Sequence, residues 1–389
     1  MKKVAVVTLI DYCNYGNRLQ NYATQEVIKN LGFEAKTLLY YKTIKKNEEL
    51  FSNKIKRKIR VLMDMTNAER YLLIKNKIIH NLYKNLINKR RNAFKLFTQL
   101  NITETSFVIS DDNVPDDLNE RFDFFLTGSD QVWNPALGGT PVNFLSFVQK
   151  QKRIAYAASF GVTELPESCI ETYKKYISEI PYLSVREQSG VEIIKKLTGR
   201  DATVLVDPTM MLTKEKWISI SKPAAYKPTK RYILVYFLGK ITDHERKFIK
   251  EMSIHKGLEV VQLADFKDKK RYVADPAEFI DYINSADIIL TDSFHGTIFS
   301  ILFEKPFITF DIILKGPSRI TRIDTLLAKF NLESRRWKNI NGINMDVFFE
   351  LDYSHIPSIL EDERKKALNF LKKALNIELS PIKENEAND

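Results

Sequence analysis

The strongest fold signal in the chain is the stretch Asp287-Ile288-Ile289-Leu290-Thr291-Asp292-Ser293-Phe294-His295-Gly296-Thr297-Ile298-Phe299-Ser300. Its apolar run is typical of a short strand that is buried on both faces of a parallel sheet. The polar residues that follow predict a helix, because Asp292 and Ser293 are good N-cap types and Gly296 allows close backbone approach. Open α/β sheets bind ligands at such junctions, where free N–H groups favour a phosphate or carboxylate. His295 is therefore a candidate proton donor or acceptor, and a structural histidine at a helix start is the alternative.

The composition predicts a globular protein with two α/β domains. The chain has 389 residues, of which 44% are hydrophobic and 28% charged, and it is too long for one ordinary core. Its two cysteines, Cys13 and Cys169, lack a metal-type spacing, which favours a reduced protein without a cysteine metal site. The first residues enter a strand rather than a signal peptide, and no stretch approaches the roughly 18 apolar residues of a membrane span. We therefore expect a cytoplasmic protein.

Strands and helices are expected to alternate in two Rossmann-like domains, 1–212 and 213–389. The polar loop at 11–17 replaces the G-x-G-x-x-G glycines of dinucleotide sites, so a dinucleotide is not indicated. The expected elements are strand 4–9, helix 18–31, strand 34–39, strand 152–159, helix 168–179, strand 182–186, helix 189–197, strand 202–206, strand 231–237, helix 243–255, strand 258–263, helix 276–285, strand 287–291, helix 296–303, strand 306–310 and helix 362–375.

A basic segment over 42–95 accounts for most of the net charge of +11, with sixteen Lys or Arg against four acidic residues. The spacing of its apolar residues predicts a helical insertion over about 44–100 in the N-terminal domain. One interpretation is a solvated basic face. The other is contact with an anionic membrane surface, or with a lipid-linked phosphate, at the inner face of the plasma membrane. The segment contains no nucleic-acid reading module, so a nucleic-acid partner is not expected.

Five motifs resemble the polysaccharide pyruvyl transferase family, in the family's order and over residues 4 to about 332. The resemblance implies a GT-B-like α/β fold, in which two Rossmann-like domains with parallel sheets face each other across a cleft. The N-terminal domain would bind the acceptor and the C-terminal domain the donor. The motifs are Asn14-Tyr15-Gly16-Asn17-Arg18-Leu19-Gln20-Asn21-Tyr22-Ala23, Gly128-Ser129-Asp130-Gln131-Val132-Trp133-Asn134-Pro135, Ser184-Val185-Arg186-Glu187, Val206-Asp207-Pro208-Thr209 and Thr291-Asp292-Ser293-Phe294-His295-Gly296.

The resemblance also implies a reaction, the transfer of pyruvate from phosphoenolpyruvate to two hydroxyls of one sugar, with release of phosphate. The sugar would belong to a cell-surface polysaccharide or its lipid-linked oligosaccharide precursor, and neither a cofactor nor a metal is implied. Many relatives have Arg-Leu-His-Gly where this chain has Ser-Phe-His-Gly, so one donor-site cation is missing. Lys315, Arg319 or Arg322 could replace it, with Arg319 slightly favoured. The expected donor-binding residues are Arg186, Ser293, His295, Gly296, Arg319 and Arg322.

Ketal formation needs a proton donor and bases for two hydroxyls, and His295 and Asp130 are the expected catalytic residues. Asp11 is a second candidate base, and a turn role is the alternative for Asp130. Trp133 and Tyr15 could stack on a sugar, with core packing as the alternative for Trp133. The expected acceptor-binding residues are Asp11, Asn14, Tyr15, Gly16, Asn17, Trp133 and Asn134.

Two other functions fit the same sequence. One is a glycosyltransferase of the same fold that uses a nucleotide sugar, since a fold does not determine a function. The other is a non-catalytic member of a glycan assembly complex, which the missing arginine suggests. In the transferase hypothesis Arg186 and His295 come from strand ends in different halves of the chain, and both should reach one cleft.

Overall fold

The computed structural model describes residues 1–40, 66, 81–111, 113–312, 321–340 and 344–377. Most of the basic segment lies outside these ranges, so neither interpretation of it is tested. The loop that holds Lys315 and Arg319 also lies outside them.

The first half of the chain forms a seven-stranded parallel sheet in the order β3-β2-β1-β4-β5-β6-β7. Its centre is the pair β1 and β4, which run in register from Val4 opposite Phe124 to Val7 opposite Thr127. Near-continuous burial of these strands agrees with their unbroken apolar sequences. The strands are β1 Lys3–Val7, β2 Glu34–Tyr40, β3 Glu104–Ile109, β4 Phe124–Thr127, β5 Arg153–Ala158, β6 Tyr182–Val185 and β7 Thr203–Val204.

The second half forms a four-stranded parallel sheet in the order β11-β10-β8-β9. The strand predicted from the opening stretch is β10, and it pairs with β8 on one side and β11 on the other. Both sheets are parallel and carry helices between their strands, which confirms the predicted α/β class. The strands are β8 Tyr232–Tyr236, β9 Glu259–Leu263, β10 Ile288–Thr291 and β11 Phe307–Thr309.

The helices of the described residues connect the strands of both sheets. They are α1 Tyr15–Asn30, α2 Lys84–Asn101, α3 Leu118–Arg121, α4 Ile170–Ser178, α5 Gln188–Thr198, α6 Lys214–Ser219, α7 Asp243–Lys256, α8 Lys269–Tyr272, α9 Pro276–Ser285, α10 Phe294–Leu302, α11 Thr321–Lys329 and α12 Ile356–Ala374.

Three helices begin two or more residues earlier than predicted, and local capping explains two of them. The side chain of Asn14 accepts a hydrogen bond from the N–H of Asn17, so α1 begins at Tyr15. The Ser293 side chain caps α10 in the same way, three residues before Gly296. The third, α12, begins at Ile356 because a proline is tolerated in the first turn of a helix, where its missing N–H has no partner to lose.

The last helix, α12, returns to the first half of the chain. Its Arg364 donates hydrogen bonds to the carbonyl oxygens of Met210, at 2.7 Å, and Leu212, at 2.8 Å. One hydrophobic cluster also runs from Val4 in β1 to Leu371 in α12. The chain passes between the sheets after β7 and before β8, and the predicted boundary near residue 212 stays a prediction.

Within the described ranges, none of the helices combines the length and the hydrophobicity needed to cross a bilayer. The same residues contain no group of three or more His, Cys, Asp or Glu side chains arranged to hold a metal ion.

Candidate functional site

A cavity of about 530 Å³ lies between the loops at the carboxyl ends of the two sheets. This is the edge at which open α/β sheets bind ligands. In the described residues, the first-half wall carries two carboxylates and no Lys or Arg, whereas the second-half wall carries Arg322 and His295. The lining residues are Leu9, Ile10, Asp11, Asn14, Asn17, Tyr40, Asp130, Gln131, Leu137, Thr140 and Asn143 from the first half, and Leu238, Asp292, Ser293, Phe294, His295, Ile312, Arg322 and Ile323 from the second.

Asn17 organises the first-half wall. Its side-chain amide donates to the Asp130 carboxylate at 2.9 Å and to the Leu9 carbonyl at 2.8 Å. Its side-chain oxygen accepts from the N–H of Asp11 at 2.8 Å. Together with Asn14, which caps α1, these residues line the cavity where the sequence predicts acceptor contacts.

Asp130 has a left-handed backbone, with a φ of 67°, and its carboxylate accepts from the N–H of Gln131 at 2.8 Å. Burial raises the pKa of Asp130, but the nearby charges of Arg186 and His295 and the hydrogen bond from Asn17 lower it more. The net result is a pKa below the usual value, so the carboxyl group is ionised at neutral pH. An ionised group of low basicity suits the acceptance of a hydrogen bond from a sugar hydroxyl better than complete removal of its proton.

His295 lies in the first turn of α10 and is buried, with 6% of its surface exposed. The helix predicted from residue 296 therefore begins early enough to include His295, and its ring is packed inside the protein. A Cβ placed on Gly16 would lie 2.0 Å from its Nδ1 atom, so only glycine lets α1 approach the ring this closely. Its Nε2 atom is buried 3.6 Å from the Asp207 carboxylate, within ion-pair range and slightly beyond hydrogen-bond length.

Arg186 and His295 converge on the buried carboxylate of Asp207, although only His295 lines the cavity. The Nη1 atom of Arg186 donates to the same Asp207 oxygen at 2.5 Å, and Ser129 donates to it at 2.8 Å. Burial raises the pKa of Asp207, but the neighbouring side chains of His295 and Arg186 hold it well below its usual range. This aspartate is a functional candidate that the sequence analysis missed. Its position directly after a predicted strand was the available signal.

Arg186 is not among the residues that line the cavity, although the sequence predicts that it binds the donor. The ring of Phe294 covers its guanidinium at 4.2 Å. Two of its nitrogens, Nε and Nη2, make no hydrogen bond within the described residues. In this arrangement Arg186 is the buried counter-ion of Asp207, and its role in donor binding stays a prediction.

Lys315, Arg319 and Arg322 are the candidates to replace the missing cation, and of these Arg322 lies within the described residues. It lies in the first turn of α11 and lines the cavity, with its guanidinium 5.6 Å from the Phe294 ring. Ser293 also lines the cavity at the N-terminus of α10. Gly296 does not line the cavity. A Cβ at this position would lie 2.4 Å from the Thr291 hydroxyl, so the helix packs closely on the strand here. Gly296 therefore serves the packing of α10 on β10 rather than ligand contact.

Four predicted acceptor residues are buried and do not line the cavity, and one of them, Gly16, packs against the His295 ring. Trp133 is fully buried and stacked on Phe144, with ring centroids 5.6 Å apart, which supports its packing alternative. Tyr15 is fully buried as well, and its ring stacks on Phe279 at 4.4 Å. Asn134 is 2% exposed and holds its own turn through a 2.9 Å bond to the N–H of Ala136. Each of these three side chains follows a strand end in the sequence, but hydrophobic packing or turn formation determines its direction.

Several lining residues were not predicted. The Asn143 amide donates to the Tyr40 hydroxyl at 2.8 Å, and both side chains face the cavity beside Thr140 and Gln131. Burial raises the pKa of Tyr40 to about 12, so its hydroxyl stays protonated and can donate a hydrogen bond. Tyr40 ends a strand and Asn143 lies in a short 3₁₀ turn, so no local sequence pattern brings them together.

Asp292 lies at the end of β10 and accepts hydrogen bonds from the N–H groups of Leu238, at 2.6 Å, and Gly239, at 2.7 Å. Burial raises its pKa to about 6, although these two bonds act in the opposite direction. The folded state therefore favours the protonated form of the Asp292 carboxyl group more than the unfolded state does. This contribution to stability is complete below about pH 4, the unfolded pKa, and is lost as the pH rises through about 6.

We expect the free energy of unfolding to fall by about 2 kcal/mol between pH 4.5 and 7 through this one group. Urea denaturation at a series of pH values should show that this component of the pH dependence disappears in Asp292→Asn. The matched control Asp243→Asn, at an exposed helix start, should keep it. Identical pH dependence in wild type and Asp292→Asn would contradict the prediction.

The chain resembles known proteins in both sequence and structure. The sequence model of the polysaccharide pyruvyl transferase family matches residues 14–312. A Listeria monocytogenes protein assigned as a UDP-N-acetylglucosamine 2-epimerase has a similar structure, with a TM-score of 0.50, 9% identity and 98% coverage of each chain. The MnaA–UDP complex of S. aureus gives a TM-score of 0.49 and 13% identity, over 97% of this chain and 98% of the other. A comparison with curated proteins finds no match. The two facing parallel sheets and the first of these structures agree on a GT-B fold.

Proposed function

Since the chain belongs to the polysaccharide pyruvyl transferase family, we propose that it transfers pyruvate from phosphoenolpyruvate to two hydroxyls of one sugar, in a cell-surface polysaccharide or its lipid-linked precursor. The observation that supports this proposal best is the division of the cavity. One wall carries a buried histidine, an arginine and the start of a helix, together with Asp292, whose oxygens accept from the N–H groups of Leu238 and Gly239; the other carries carboxylates and amides. A small dianion suits the first wall and a neutral sugar suits the second.

The donor needs fixed positive charge, because phosphoenolpyruvate carries a carboxylate and a phosphate. Arg322 offers a planar fork of N–H groups that fits either anion. The N-terminus of α10, capped by Ser293, offers the positive end of a helix dipole. His295 lies in the same turn and can add a charge when it is protonated. These three groups lie on the second-half wall, so the donor belongs there.

The acceptor belongs on the opposite wall. Sugar hydroxyls both donate and accept hydrogen bonds, and Asp130, Asn14, Asn143 and the Tyr40 hydroxyl supply partners of both kinds. Asp130 is held as a carboxylate, so it accepts from a hydroxyl and makes the hydroxyl oxygen a better nucleophile.

The reaction places two sugar oxygens on carbon 2 of phosphoenolpyruvate and breaks the bond from that carbon to the phosphate oxygen. One proton from the hydroxyls ends on the methylene carbon, which becomes a methyl group, and the other leaves with the phosphate. His295 lies between the two walls, against Gly16, and is the group placed to deliver the proton to carbon.

The test is incubation of the protein with phosphoenolpyruvate and candidate lipid-linked glycans, followed by mass spectrometry for the ketal mass increment and by an assay for released phosphate. Both signals together support the proposal. Transfer from a nucleotide sugar instead would support the glycosyltransferase alternative. The absence of every transfer, with tight glycan binding, would support a non-catalytic member of an assembly complex.

Arg322→Ala should raise the Michaelis constant for phosphoenolpyruvate about tenfold to a hundredfold, because a hydrogen bond to a charged group contributes about 1.5–3 kcal/mol. Steady-state kinetics with varied donor measure the change. Lys247→Ala removes an equal charge from the exposed face of α7 and is the control. An equal, small effect in both variants would mean that Arg322 does not replace the missing cation. Arg319→Ala, measured beside them, tests the other replacement candidate.

A further inference from the structure

Arg90 is one of the sixteen basic residues of the segment 42–95, yet it is not part of a solvated face. It lies in α2 with 2% of its surface exposed. Its neighbour Lys89 in the same helix is exposed. The long side chain of Arg90 therefore points into the protein, where burial of a charge is costly unless its donors are hydrogen-bonded.

The guanidinium of Arg90 joins the two halves of the chain. Towards the first half, Nη2 donates to the Cys13 carbonyl at 2.9 Å, and Nη1 donates to the Tyr15 hydroxyl at 2.9 Å. Towards the second half, Nη1 donates to the Tyr272 carbonyl at 2.5 Å. These acceptors are neutral oxygens from both halves of the chain. The buried charge therefore keeps all of its hydrogen bonds only while the two halves stay in place.

Aromatic contacts strengthen the same junction. The guanidinium lies 4.5 Å from the centre of the Tyr15 ring and 5.1 Å from that of Tyr272, both within the range of a cation–π interaction. The Tyr15 hydroxyl in turn donates to the Ala274 carbonyl at 2.9 Å, and its ring stacks on Phe279 in α9. Two side chains from the first half are thus anchored in the second half.

The anchored segment 11–17 contributes Asp11, Asn14 and Asn17 to the first-half wall of the cavity. Cys13 and Tyr15 flank Asn14, which caps α1 and lines the cavity. The next residue, Gly16, lies against the His295 ring. A shift of this loop relative to the second half would therefore change the distance between acceptor groups and His295.

We propose that Arg90 is a positioning residue that fixes the loop 11–17 against the second half of the chain, and so sets the distance between the two walls of the site. The inference that this distance governs turnover rests on the proposed function. The anchoring itself does not, since it follows from the hydrogen bonds and the burial. Arg90 touches neither the cavity nor a reacting atom.

The first experiment measures hydrogen exchange of the full-length protein by mass spectrometry, in wild type, Arg90→Met and Lys89→Met. Arg90→Met keeps an unbranched side chain that fills most of the same space and removes every donor, whereas Lys89→Met removes an equal charge from the exposed face of the same helix. We expect faster exchange over 11–17 and over 272–280 in Arg90→Met alone. Unchanged exchange in both stretches of a folded Arg90→Met protein would overturn the proposal.

The second experiment separates positioning from general loss of structure. The proposed donor groups lie on the second half, so phosphoenolpyruvate affinity, measured by calorimetry, should change little in Arg90→Met. Turnover should fall by about a hundredfold, the loss typical of a displacement of about 1 Å. Equal losses of donor affinity and turnover would indicate a merely structural role.

Chemical rescue completes the test, and it can still be measured if the Arg90→Met protein folds poorly. Added guanidinium ion should restore slow exchange over 11–17, and turnover, in Arg90→Ala, because it can occupy the vacated space and donate to the same oxygens. Arg90→Lys should not recover either property, since one ammonium cannot replace a planar fork. Recovery in Arg90→Lys, or failure of guanidinium to act on a folded Arg90→Ala, would contradict the assigned role. Without any turnover in wild type, the exchange data still decide whether Arg90 anchors the loop.

Discussion

Replacement of His295 by Gln should lower kcat by about a hundredfold to ten-thousandfold, the range of a lost positioned acid or base. The imidazole comes from the second half, lines the cavity and lies between Gly16 and Asp207 of the first half. Gln is the better replacement than Ala, because the ring is buried and Ala would leave a hole against α1. Steady-state kinetics with phosphoenolpyruvate and a glycan acceptor measure the loss.

The control for this variant is His255→Gln, which changes an exposed histidine at the end of α7. It should keep wild-type turnover. Thermal denaturation of both variants shows whether the fold is intact. Wild-type kcat in a folded His295→Gln protein would return His295 to the structural role that the sequence also allowed.

Gly16→Ala should be nearly as damaging, although it adds only one methyl group. The new Cβ would lie 2.0 Å from Nδ1 and 2.3 Å from Cγ of His295, distances that atoms do not tolerate. The ring or the start of α1 must move, and a displacement of about 1 Å in a catalytic group costs about a hundredfold in rate. Overpacking should also destabilise the protein by about 1–3 kcal/mol.

Gly199→Ala is the matched control, because it separates lost stability from lost geometry. Gly199 caps α5 with a φ of 71°, and no atom lies within 4 Å of the position that a Cβ would take there. Alanine at this position should cost about 1–2 kcal/mol through the left-handed backbone and leave kcat unchanged. Urea denaturation and steady-state kinetics on both variants make the comparison. Similar kcat values for the two would show that the contact between Gly16 and His295 has no part in turnover.

The parts of the site that could be predicted follow from local rules. Asp11, Asp130 and His295 were singled out because polar residues after buried strands meet at one edge of a parallel sheet. Asn14 and Asn17 were expected because their motif resembles the family, and all five residues line the cavity. The type and order of the helices and strands were also predictable, because buried strands and helix caps each depend on a few consecutive residues.

Other features depend on contacts between distant residues. Tyr15 and Trp133 lie in the same motifs as Asn17 and Asp130, yet their rings are buried against Phe279 and Phe144. No pattern within a motif indicates which side chain turns inward, because the packing partner lies elsewhere in the chain. Asp207 was assigned no role for a related reason. Its partners Ser129, Arg186 and His295 come from three other motifs, so its own motif does not reveal them.

The return of α12 to the first half has a consequence for synthesis of the protein. Arg364 satisfies carbonyl groups at Met210 and Leu212, and Leu371 belongs to the same hydrophobic cluster as Val4. A growing chain therefore leaves the carbonyl groups of Met210 and Leu212 without these partners until α12 has left the ribosome. The first half is made early, but this part of it is completed late.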